Sequence, residues 1–97
     1  MGSPLPHDSC FLAEWYRQEL ADAPVGPTVA TLDDAAAKVS ASGTPVRLLG
    51  LLAVPNDAVL FGVFSADSAQ VVAQTCDQAG MSAQRLSPAA GVHFRTQ

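Results

Sequence analysis

Charge is scarce in this chain. Only 14% of its 97 residues are Asp, Glu, Lys or Arg, against 48% hydrophobic. Soluble domains ordinarily carry roughly 25% charge. Basic residues are scarcer still: Arg17, Lys38, Arg47, Arg85 and Arg95 are scattered, form no stripe, and leave a net charge of −4. That excludes nucleic acid and an anionic membrane surface as main partners. No apolar run approaches the roughly 20 residues needed to cross a bilayer. Met1 to Asp8 carries neither the basic start nor the apolar stretch of an export signal. Cys10 and Cys76 form no CxxC pair and read as reduced thiols of a cytoplasmic protein. His7 and His93 sit near the two ends without HxxxH or HExxH spacing, so both read first as surface residues. The glycines build no phosphate loop, and no G-x-S-x-G motif marks a serine nucleophile.

What remains is the pattern of one small domain, with residues 1–9 as a leader and 10–95 as the folded unit. Cys10 to Tyr16 is rich in strand formers. Residues 18–28, with Pro24, Gly26 and Pro27, read as a connecting loop. Thr31 can then cap a helix, with Asp34 completing a capping box. Leu32, Ala35, Ala36 and Val39 form its apolar stripe, and Gly43-Thr44-Pro45 stops it. Val46 to Val54 is a second strand, Pro55-Asn56-Asp57 a turn, and Ala58 to Phe64 a third strand. Ser65 and Asp67 are candidate caps for a second helix. Its stripe is Ala69, Val72, Ala73, Cys76 and Ala79, and Gly80 ends it. Gln84 to Leu86 and Gly91 to Arg95 supply a fourth strand, interrupted at Pro88. The order βαββαβ predicts an α+β, ferredoxin-like sandwich, with an antiparallel sheet and two helices on one face.

The hairpin at Asn56-Asp57 predicts pairing of Val54 with Val59, Leu52 with Phe61 and Gly50 with Val63. With Leu48 these make one face. Ala53 with Leu60, Leu51 with Gly62 and Leu49 with Phe64 make the other, with Arg47 at its end. Both faces are apolar, unlike a sheet wetted on one side. Helices cover one face. The other needs a second cover, and a second copy of the chain fits, in a dimeric α/β-barrel type assembly. The bland alternative is a greasy face left bare or covered by the 18–28 loop.

Glu14 is the most informative polar residue, because it shares its strand face with Leu12 and Tyr16. A buried carboxylate is costly unless paired or ligated. It reads either as a ligand, metal or acid/base group in a cavity between sheets, or as a rim residue paired with Arg47 or Arg17. Tyr16 lines the same cavity or ends the strand with a wet hydroxyl. Arg47 anchors an anionic group or is a solvated strand end. Trp15, on the opposite face, reads as core. Cys76 and Cys10 read first as small apolar residues.

The stretches Phe11-Leu12-Ala13-Glu14-Trp15-Tyr16, Val46-Arg47-Leu48-Leu49, Phe61-Gly62-Val63-Phe64-Ser65-Ala66 and Ala79-Gly80-Met81-Ser82-Ala83-Gln84-Arg85-Leu86 resemble a ferredoxin-like domain-of-unknown-function family. That family includes a nickel-binding, nickel-responsive bacterial protein. The resemblance covers roughly residues 10–88 and lies in diffuse patterns. It implies a homodimer with facing sheets and a site at Glu14. It also places Cys76 where many members carry a histidine three residues before the Ala-Gly that ends the second helix. Thiolate is itself a metal ligand.

The expectation is a homodimeric protein binding a small molecule or a divalent metal such as nickel, between facing sheets. Glu14, Tyr16 and Arg47 would contact the ligand, and Glu14, Cys76 and His93 are the metal candidates. The rival is a cofactor-free enzyme of the dimeric α/β-barrel type, a monooxygenase, isomerase or lyase. There Glu14 serves as acid/base, Tyr16 as donor and Arg47 as anchor. The third is a structural or partner-binding module.

Overall fold

The computed structural model describes residues 9–90. Four strands, β1 (Ser9–Trp15), β2 (Val46–Val54), β3 (Val59–Ala66) and β4 (Arg85–Ala89), form one antiparallel sheet in the order β2-β3-β1-β4. Three helices accompany it: α1 (Gln18–Asp22), α2 (Val25–Ala41) and α3 (Ala69–Gln78). This α+β arrangement is compatible with a ferredoxin-like fold. Among the described residues no helix is long and apolar enough to cross a membrane.

The core lies between the helices and one sheet face. Phe11, Ala13 and Trp15 point into it from β1, Leu60 and Phe64 from β3, Leu32, Ala36 and Val39 from α2, and Val72 and Cys76 from α3. Each large side chain sealed there contributes about 1.5–3 kcal/mol. Trp15 is fully buried, and its indole Nε1 donates to the Met81 carbonyl at 2.7 Å. This bond locks the end of α3 to β1. Gly80 makes it possible by adopting φ 75°, which turns the chain so that the Met81 N–H donates to the Cys76 carbonyl at 3.0 Å.

Several boundaries depart from the sequence expectation: β1 stops at Trp15, short of Tyr16, and β3 runs Val59–Ala66 instead of the expected Ala58 to Phe64. Residues 18–28 are mostly helical: α1 is followed closely by α2, which starts at Val25. Pro27 is tolerated there because the first-turn N–H groups have no intrahelical acceptor. Thr31 therefore lies inside α2 and caps nothing; its hydroxyl donates to the Pro27 carbonyl at 3.0 Å. Asp34 pairs with Lys38 at 3.2 Å instead of closing a capping box. Ser65 and Asp67 do not cap α3 either. Ser65 belongs to β3, and Ser68 is the cap, accepting from the Val71 N–H at 3.4 Å. Finally, β4 runs through Pro88, which an edge strand allows because one side makes no ladder bonds. The 91–95 segment expected in this strand, with His93, lies outside the described residues.

The hairpin follows the expected register from Val54–Val59 to Gly50–Val63, and then slips. Leu48 pairs with Phe64 and Arg47 with Ser65, leaving Leu49 as the extra residue of a bulge. The slip reverses the faces of this end of the strand. Leu48 packs against the core, and Arg47 joins the helix-free face, opposite to its expected place.

Gly62 sits under Trp15: a Cβ there would lie 3.0 Å from the Trp15 Cζ3 and 3.2 Å from the Leu51 Cδ2. The indole is pinned by its hydrogen bond and cannot retreat. Gly62→Ala should lower stability by about 1–3 kcal/mol through overpacking. Urea unfolding followed by the single tryptophan should show a lower midpoint at unchanged slope. An unchanged midpoint would show that the indole can give way.

Candidate functional site

The helix-free sheet face is built by strand alternation and cross-strand pairing. It carries Cys10, Leu12 and Glu14 from β1 and Phe61, Val63 and Ser65 from β3. Arg47, Gly50 and Leu52 come from β2, and Arg85 and Ser87 from β4. Among the described residues, the long helices α2 and α3 pack on the opposite face. Leu12, Phe61 and Val63 are half-buried, and Leu52 is 61% exposed.

Glu14 is the exception to this openness, at 8% exposure. It stands between Phe61 on one neighbouring strand and Arg85 on the other. Tyr16, just beyond the strand, turns its ring back so that its hydroxyl donates to Glu14 Oε1. Arg85 Nε lies 3.6 Å from Glu14 Oε2, close enough for charge attraction but long for a hydrogen bond. Gln84 supports the group from behind. Its N–H donates to the Glu14 carbonyl at 2.9 Å, and its side-chain oxygen accepts from the Tyr16 N–H at 2.8 Å. A carboxylate this enclosed needs such partners to offset lost hydration.

The hydrogen bond to Glu14 raises the Tyr16 hydroxyl above its ordinary pKa; desolvation and the Glu14 charge add to the effect, and Arg85 opposes it. Removing the phenol proton would break the bond and set two anions side by side. Tyr16 therefore stays a neutral donor across the physiological range.

The structure joins two of the expected site residues and separates the rest. Glu14 and Tyr16 touch. Arg47 does not join them: it pairs with Ser65, which faces Cys10 across the sheet, four residues down β1 from Glu14. That is roughly 13 Å along a strand. Arg17 is engaged with Glu19 at 2.7 Å, so neither arginine expected to pair with Glu14 does so. Arg85 takes the role. The signal was available, since a strand-four arginine can sit directly across from a strand-one glutamate.

Cys76 faces the core from α3, on the other side of the sheet from Glu14. Burial, and secondarily the Asp77 charge, push its thiol up to about 12. It is thus a neutral core group, and it cannot share a metal ion with Glu14. His93 lies outside the described residues. Both cysteines are free thiols. Among the described residues no group of three or more His, Cys, Asp and Glu side chains converges to hold a metal ion. The donors around Glu14 are a phenol and a guanidinium, and the guanidinium competes with any cation. The described residues do not fit a nickel site.

Charge is distributed unevenly. Among the described residues, Glu14 is the one acid within the strands, where Arg47 and Arg85 are also found, and Asp67, just past β3, lines a cleft with Arg47. The helices and connecting turns hold seven acids, Asp33, Asp34 and Asp77 among them, against Arg17 and Lys38.

Tyr16 is the single tyrosine, so ultraviolet phenolate absorbance reads it without ambiguity. Its midpoint should lie above the ordinary value of about 10, and Glu14→Gln should bring it back toward that value. A Tyr16 with a raised folded pKa stabilises the fold fully below the unfolded tyrosine pKa, and this contribution is lost as pH rises through the folded one. A midpoint indifferent to Glu14→Gln would mean the bond does not form in solution. Compared with known proteins, the chain matches no protein-family model, no curated protein and no solved structure.

Proposed function

We propose that this chain is a homodimeric small-ligand-binding protein, in which two helix-free sheet faces meet and enclose the Glu14–Tyr16–Arg85 group. The observation that carries this reading is a half-buried apolar face that holds one enclosed carboxylate. Apolar residues left bare on a small domain are relieved by burial against a partner. A second copy suits the charge pattern too. On a protein of net charge −4 the helices and turns carry most of the acids, so two helix-bearing surfaces repel each other more strongly than two sheet faces do.

Once the sheets meet, Glu14, Tyr16 and Arg85 become polar groups in an otherwise apolar space. A few placed polar groups in an apolar wall are the usual make-up of a small-molecule site. The Arg85 guanidinium favours an organic ligand over a divalent metal, because it already neutralises the carboxylate a metal would need. The same pairing weakens the enzyme reading. The Glu14 oxygens are already engaged by the Tyr16 hydroxyl and the Arg85 charge, and Arg47 is too distant to anchor a substrate beside it. The nickel-family resemblance supports the facing-sheet assembly more than it supports the metal.

Sedimentation velocity tests the assembly. The wild-type chain should sediment as a dimer at about 50 μM, and Leu52→Lys should weaken association by roughly tenfold or more while leaving the circular dichroism spectrum unchanged. Leu52 is already exposed in the single chain, so the lysine does not disturb its core. A wild-type chain that remains monomeric at that concentration would rule the proposal out.

A further inference from the structure

We infer that the cleft at the end of the β2–β3 ribbon away from its turn binds a small zwitterion, of the class of the smallest α-amino acids, with Arg47 taking the carboxylate and Asp67 the ammonium group. The inference is independent of the facing-sheet reading, because the cleft belongs to one chain and lies roughly 13 Å down the sheet from Glu14.

Register and alternation place the two charges. The cleft holds about 130 Å³ and is lined by Pro45, Val46 and Arg47 on one side and Ser65, Ala66 and Asp67 on the other. Arg47 stands opposite Ser65 across the ladder, on the side of the strand that the bulge at Leu49 gives it. Asp67 follows two residues after Ser65, the spacing that returns a side chain to the same side. Val46 and Ala66, paired with each other and buried, form the apolar floor.

The cleft thus joins a cation, an anion and a hydroxyl, and the two charges do not satisfy each other. Neither Arg47 nor Asp67 enters an ion pair among the described residues, and both are exposed. A direct pair between such exposed groups is worth little, so it competes weakly with a ligand. The opposed charges decide the ligand class. A simple anion meets Arg47 but is repelled by Asp67, a simple cation suffers the reverse, and a neutral molecule gains from neither. A molecule carrying both charges answers both, its carboxylate through the two-pronged contact a guanidinium offers. Size sets the rest. At roughly 30 Å³ per water in the liquid, the cleft of about 130 Å³ holds about four waters, which suits glycine or alanine and leaves out larger side chains.

Amide NMR spectra of the whole chain give the test, with glycine, glycinamide and acetate titrated at constant ionic strength and about pH 6.5, below the α-amino pKa. Glycine should shift the amide signals of Val46, Arg47, Ser65, Ala66 and Asp67 with a dissociation constant on the order of 1 mM, and the two singly charged analogues should bind roughly tenfold or more weakly. Arg47 and Asp67 are both exposed, so Arg47→Gln and Asp67→Asn leave the core intact. Arg47→Gln should remove the advantage of glycine over glycinamide, and Asp67→Asn its advantage over acetate. Glycine in large excess over that concentration, with these signals unmoved, would overturn the proposal. So would glycinamide or acetate binding as tightly as glycine to the wild-type chain, or a preference for glycine that survives both substitutions.

Discussion

A sheet has two faces, and the helices of this chain cover one. That constraint shapes everything else in the molecule. On the covered side, Trp15 and Phe64 are sealed from water, and the Schellman-type turn at Gly80 and Met81 ties α3 to β1. On the other side the same strands present leucine, phenylalanine and valine to whatever comes next. The composition points the same way: only 14% of the residues are charged.

The polar group on the bare face is organised beyond a simple ion pair. Glu14 is enclosed, the Tyr16 hydroxyl is held on one oxygen, and Arg85 waits at 3.6 Å from the other. Gln84 bonds to the main chain on both sides of this group, so β4 sets the geometry of a site whose acid belongs to β1. An arginine and a phenol around a carboxylate do not make a metal nest. They make a neutralised polar anchor in an apolar setting, which is what a binding surface needs to orient a ligand without a large desolvation cost.

Much of the fold was legible because alternation and helical spacing are strong over long runs. The Val46–Val54 and Val59–Ala66 ribbon, the α2 stripe of Leu32, Ala35, Ala36 and Val39, and the opposed faces of Glu14 and Trp15 all follow from periodicity. What was not legible depended on single residues whose local signals compete. Pro24, Gly26 and Pro27 look like a loop, yet a first helical turn accepts a proline. Nothing in the apolar string Leu48-Leu49-Gly50 says which residue is extra, so the bulge that moves Arg47 across the sheet had no signature. Arg85 was missed although the strand assignments offered it: a strand-four arginine was a possible partner for a strand-one glutamate, and only the register of β1 against β4 singles it out.

The central claim is that the helix-free face is covered by a second copy of the chain. Methyl-labelled protein with a soluble gadolinium chelate tests it most directly, because relaxation reports which side chains meet solvent. At high protein concentration the methyl groups of Leu52 and Val63 should be shielded, and on dilution they should become accessible. Val25, 44% exposed at the start of α2, should be accessible throughout. Leu52 methyl groups as accessible as those of Val25 at every concentration would contradict it.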